Sequence, residues 1–138
     1  MITWFDILVF LSSAIFAWVN CFLLHELMHI KSQGLAMEGM IEVGKIGFTA
    51  GPRKMVNENL FFLAGGLYSG LIYLYISLLL FLCGALWFTI TFSTVGMINV
   101  VYGIHERKYH GEGRFKVYLL TGLGMLLLWS SYVYMYVL

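Results

Sequence analysis

Apolar residues run almost unbroken from Ile7 to Leu24, and the stretch extends through His25 to Ile30. A helix needs about 20 apolar residues to cross the hydrocarbon core of a bilayer. The stretch therefore predicts a first span over 5–30. Leu60 to Ile104 contains no charged side chain. It is too long for one crossing and fits two, near 59–82 and 85–106, with a tight turn at Cys83, Gly84 and Ala85. Val117 to Leu138 supplies a last span, near 117–137. Between the first two spans the pattern changes. Ile41 and Val43, then Ile46 and Phe48, recur at two-residue spacing in "MIEVGKIGFTAGP", and Gly44-Lys45 between them suits a hairpin turn. The expected fold is an all-α polytopic membrane protein: four transmembrane helices, with a short β-hairpin-like segment on the cytoplasmic side after the first span.

Composition supports lipid as the solvent. The chain has 138 residues, 61% hydrophobic and 11% charged, where a soluble domain is roughly 25% charged. The length fits one domain over 1–138. A net charge of +1 gives no indication of nucleic-acid binding. Cys21 and Cys83 both lie in apolar stretches and read as buried thiols rather than a disulfide. "MITWFD" has no basic region that would mark a cleavable signal, so the first stretch is expected to remain as a span. Trp4, Trp87, Trp129 and the tyrosines from Tyr132 to Tyr136 fit interface belts.

Charge then orients the spans. Lys31, Lys45, Arg53 and Lys54 lie between spans one and two, and Arg107, Lys108, Arg114 and Lys116 between spans three and four. Four crossings put all 8 basic residues on one face. The positive-inside rule makes that face cytoplasmic, with both termini outside. The expected location is the cell membrane of a prokaryote.

The chemistry concentrates where span one reaches that face, in "HELMH", residues 25 to 29. His25 and His29, four apart on a helix, share one face and can ligate one Zn²⁺. Glu26 sits close enough to reach water at the metal without ligating it. Zinc lowers the pKa of water it binds to roughly 7, and a carboxylate there can take the proton. This is the H-E-x-x-H pattern of metallopeptidases. Such a pattern also arises by chance, and His and Glu are tolerated near a membrane interface. Here, however, His25 lies about 9 Å of helix rise before Lys31. Ionisable groups at that depth are costly and persist with a partner or a function.

A catalytic zinc usually takes three protein ligands and keeps one open position. Span three returns to the same face as His29, and on it Asn99, Tyr102 and Glu106 share one side. Glu106 is the expected third ligand, with His105 as the alternative. Glu58 is a remoter candidate, and Cys21, on the histidine face, is expected to pack. Glu106 has a plainer reading too, as an interfacial carboxylate beside Arg107 and Lys108. Asn99 is expected to hydrogen-bond a substrate backbone.

On these residues the chain resembles the site-2 protease family of intramembrane zinc metalloproteases. "HELMH" with Gly34 after it, the Gly-rich "VGKIGFTAGP" and the Ala-Gly-rich "FLAGGLYSG" carry the resemblance across roughly the first half of the chain. It implies cleavage of a transmembrane or membrane-proximal peptide substrate near the cytoplasmic side. Zinc would be held by His25 and His29, with Glu26 as general base. In the family a third ligand comes from a later span, usually an aspartate followed by glycine and preceded by an asparagine. This chain departs there. Its one aspartate is Asp6, at the opposite face, and "MINVVYGIHE" keeps Asn99 but offers Glu106 in place of an aspartate.

Other functions compete. A zinc-binding or metal-transporting four-helix protein without proteolytic activity needs the histidines but not a non-ligating base. Haem ligation is disfavoured, because histidines four apart on one helix cannot occupy opposite faces of one iron. A purely structural bundle needs no metal.

Overall fold

The computed structural model describes residues 3–33, 39–44, 47–52, 57–109 and 114–136. Helix α1 spans Trp4–Ser32, strands β1 and β2 span Gly39–Gly44 and Gly47–Pro52, and α2 spans Glu58–Leu63. A π-helical turn, Ala64–Tyr68, joins α2 to α3, Ser69–Leu82; α4, Leu86–Tyr109, and α5, Arg114–Tyr136, follow. Among the described residues, four helical segments are long and apolar enough to cross a membrane: Trp4–Ser32, Glu58–Leu82, Leu86–Glu106 and Phe115–Tyr136.

The ends differ from the hydropathy boundaries because hydrogen-bonding groups set them. Thr3 caps α1: the Asp6 N–H donates to Thr3 Oγ1 at 3.2 Å, and the Thr3 N–H donates to Asp6 Oδ2 at 2.8 Å. The helix thus opens before the apolar run does. Asn57 Oδ1 accepts from the Leu60 N–H at 3.0 Å and starts α2. Gly84 turns the chain with φ 75°, a conformation that favours glycine, so α4 begins at Leu86 rather than Ala85. Cys83 ends up exposed in this turn, contrary to the expectation of a buried thiol, while Cys21 is buried.

The strands β1 and β2 pair antiparallel, from Gly39 opposite Pro52 to Gly44 opposite Gly47. The expected Gly44-Lys45 turn includes Lys45, which, like Ile46, Gly34, Arg53 and Lys54, lies outside the described residues.

Helix α4 is the centre of the bundle, packed by α1, α2, the π turn, α3 and α5, and is the most buried span. The buried stripes of the first two spans are mostly small or polar. On α1 they are Ser13, Ala17, Cys21, His25 and His29, one every fourth residue. Phe61, Gly65, Ser69, Tyr73 and Ser77 repeat the spacing along the second span. Lipid offers Leu as good a solvent as a protein core does. Close backbone approach and hydrogen bonding therefore decide the contact faces. Gly66 lies against Gly103, and Gly70 against Gly96 and Val100, where an added Cβ would overlap the facing backbone. The Thr91 hydroxyl donates to Ser13 Oγ (3.2 Å), the Ser77 hydroxyl to the Thr89 carbonyl (3.1 Å), and Trp129 Nε1–H to Ser93 Oγ (2.9 Å). Trp87 Nε1–H donates to Asp6 Oδ1 at 2.9 Å, tying the start of α4 to the start of α1.

Candidate metal centre

The C-terminal end of α1, the start of α2 and the C-terminal end of α4 meet at one end of the bundle. Gln33 and Asn57 clasp the first two together. The Gln33 Nε2–H donates to the Asn57 carbonyl and the Asn57 N–H to Gln33 Oε1, both at 3.1 Å. The clasp brings the last turn of α1 beside the first turn of α2, and His29 stacks on Phe61 with ring centroids 4.4 Å apart.

Within that end, His25, His29 and Glu106 converge. Their ligand atoms all lie within 4.8 Å of one another, and all three residues are buried. His25 Nε2 and His29 Nε2 are 3.0 Å apart, and Glu106 Oε1 lies 3.4 Å from the first and 3.3 Å from the second. Glu106 is thus drawn inward, not left as an interfacial carboxylate. His105, the alternative, is exposed and does not join the cluster, because it lies about 100° from Glu106 around the helix. Glu58 is also exposed and outside it.

The second nitrogen of each ring decides what the cluster can hold. His29 Nδ1 is 2.6 Å from the Phe61 carbonyl. A carbonyl oxygen only accepts, so Nδ1 carries the hydrogen, and in the neutral ring Nε2 presents a lone pair. His25 Nδ1 is 3.2 Å from Asn99 Oδ1. The Asn99 amide nitrogen is oriented by the Val95 carbonyl at 3.0 Å, which assigns Oδ1 to the histidine side. A neutral His25 ring then also has Nδ1–H and an Nε2 lone pair. With both rings neutral, two lone pairs and a carboxylate oxygen face one another, an arrangement that a shared proton or a bound cation would satisfy.

The triangle matches a metal. Donors about 2.0–2.1 Å from a tetrahedral zinc are about 3.3 Å apart along each edge. Among the described residues, the other carboxylate oxygen, Glu106 Oε2, is buried without a hydrogen-bond partner, a state that a bound ion or water would explain.

Two residues that sequence reasoning did not assign to the site hold it together. The Phe61 carbonyl fixes the His29 ring, and a main-chain group leaves no signature in sequence. Gly65 makes room for that ring, since a Cβ there would overlap three imidazole atoms of His29. The Ala-Gly-rich stretch was the available signal. Gly65→Ala should weaken zinc binding about 10–100-fold, the range seen when groups that orient a ligand are lost. Gly124→Ala, where nothing among the described residues lies within 4 Å of an added Cβ, should leave it unchanged in the same competition titration.

Cys21 packs as expected, buried one turn before His25, with its sulfur accepting from the Asn99 Nδ2–H at 3.0 Å. Glu26 is buried at 9% exposure beside His25 and is not one of the three converging groups. No family model, curated protein or solved structure matches this chain.

Proposed function

We propose that the chain is an intramembrane zinc metalloprotease that hydrolyses transmembrane or membrane-proximal peptide segments near the cytoplasmic side. The observation that carries this reading is the convergence of two imidazoles and the Glu106 carboxylate, buried inside a bundle of apolar helices.

The Glu106 carboxylate is buried beside the two imidazole rings, and a dication bound there would offset the cost of burying its charge. Bound there, zinc supplies the Lewis acidity that polarises a peptide carbonyl and acidifies water. His25, His29 and Glu106 would hold it, with Phe61 and Asn99 fixing the rings. Glu26 takes the proton of the attacking water and delivers it to the departing amine. The H-E-x-x-H pattern and the resemblance to site-2 proteases support these roles.

Access fits a substrate arriving from lipid. Helices α1, α4 and α5 bound an apolar cleft of about 300 Å³, with Trp18 and Tyr118 in its wall. Tyr118 packs edge-on to Tyr102 (5.1 Å), and Tyr102 lies 6.0 Å from the His25 ring. An apolar segment in the cleft is thus separated from the site by two aromatic rings. A transmembrane helix keeps its carbonyls in internal hydrogen bonds and must unwind before attack. The antiparallel β1–β2 pair offers an edge on which the unwound segment can pair.

Cleavage of a model transmembrane peptide in proteoliposomes tests the reading. Activity should vanish on chelation and return when zinc is added back. Cleavage that survives exhaustive metal removal, or a zinc-loaded protein that cuts no helix, contradicts it.

A further inference from the structure

The environment of Asn99 differs from that of a group waiting for substrate. Asn99 is 7% exposed, and its side chain reaches from α4 to two residues one turn apart on α1. One amide hydrogen goes to the Val95 carbonyl at 3.0 Å and the other to Cys21 Sγ at 3.0 Å. The carbonyl oxygen Oδ1 accepts from His25 Nδ1–H at 3.2 Å. Both donors are used and the acceptor is engaged, so the amide has no hydrogen left to offer a peptide carbonyl.

We infer that Asn99 is a positioning residue that holds His25 as the Nδ1–H tautomer, and that Cys21 and Val95 in turn fix the amide. The assignment rests on the metal reading above and replaces the expected contact with substrate. Its logic is that of a hydrogen bond behind a ligand. The acceptor sets which nitrogen is free for the metal, fixes the ring plane and raises the basicity of the ligating atom. The arrangement is rigid because the carboxamide cannot flip without placing its NH₂ against His25 Nδ1–H and its oxygen against the Val95 carbonyl. Cys21 then acts through Asn99, which gives a physical reason for a thiol on the histidine face that ligates nothing.

Two measurements test it. In the full-length protein labelled with ¹⁵N-histidine, the His25 signal is assigned by its loss in His25→Ala. That signal should show a protonated Nδ1 and an unprotonated Nε2, with or without metal. Zinc affinity should fall about 10–100-fold in Asn99→Leu. Asn99→Asp, which keeps an oxygen facing Nδ1–H, should bind more tightly than Asn99→Leu. A His25 ring protonated at Nε2 in the metal-free parent overturns the inference, as does Asn99→Leu with the affinity of the parent. If Asn99→Leu does not fold, the ring signal of the parent decides alone. Failure of the metal reading itself shows elsewhere, as a parent protein that takes up no zinc.

Discussion

Glu26→Gln should retain zinc and lose cleavage by on the order of 10²–10⁴-fold, the usual contribution of a positioned general base. The substitution preserves shape and burial and removes the capacity to accept a proton. Glu26 is not among the three groups that converge on the metal position, so the ion should stay. Its affinity should drop somewhat, because one of two neutralising carboxylates is gone, but by less than when a ligand is removed. Peptide cleavage followed by mass spectrometry, with zinc measured on the same sample, separates the two effects. A Glu26→Gln protein that cuts at the rate of the parent would reduce Glu26 to a buried structural group. A parent that carries zinc across the membrane, never cleaves, and is unaffected by the substitution would identify a metal transporter.

Glu106→Gln should act in opposite directions on metal binding and on the stability of the metal-free fold. Removing one of three protein ligands should weaken zinc by more than the ~10–100-fold that loss of an outer partner costs. In the absence of metal, the parent keeps a buried carboxylate 3.3 and 3.4 Å from two imidazole nitrogens, with its Oε2 unpartnered among the described residues. A glutamine amide at that place can donate a hydrogen to the rings, and it removes a buried charge. Relieving unsatisfied buried groups is worth about 1–3 kcal/mol, so the metal-free variant should melt higher than the metal-free parent. Thermal unfolding in detergent, run with chelator and with zinc, reads both. If zinc stabilises the variant as strongly as the parent, Glu106 is not a ligand.

How legible these features were depended on which physical rule governed each. The spans stood out because the bilayer demands long apolar runs, and all four were placed within a few residues. Their ends were less visible. Thr3 with Asp6, and Gly84 with its left-handed turn, set the ends through hydrogen bonds and dihedral angles, which hydropathy does not encode. The inward faces were harder still. In water a buried stripe is apolar, whereas here it is Ser13, Ala17, Cys21 and their like, with Leu8, Leu11 and Ile15 facing outward. Helical amphipathicity is therefore weak, and the four-residue spacing of small residues is the signal to read.

At the site, His25 and His29 were legible from spacing alone. Glu106 followed from topology, since an even number of crossings returns span three to the same face. Its choice over His105 followed from the helical angle. The shell behind the ligands was not legible. The Phe61 carbonyl is common to every residue type, and the Gln33–Asn57 clasp joins positions separated by the whole excursion between spans one and two. Asn99 was placed on the correct face, but its partners on α1 required the packing of α1 against α4.

The most direct test of the central claim is the zinc content per chain of protein purified from membranes without chelator. The account predicts about one zinc per chain in the parent, as for a site with three protein ligands, and essentially none when His25 and His29 are both replaced by alanine. A folded parent that holds no zinc when zinc is supplied, or a double variant that holds as much as the parent, would contradict it.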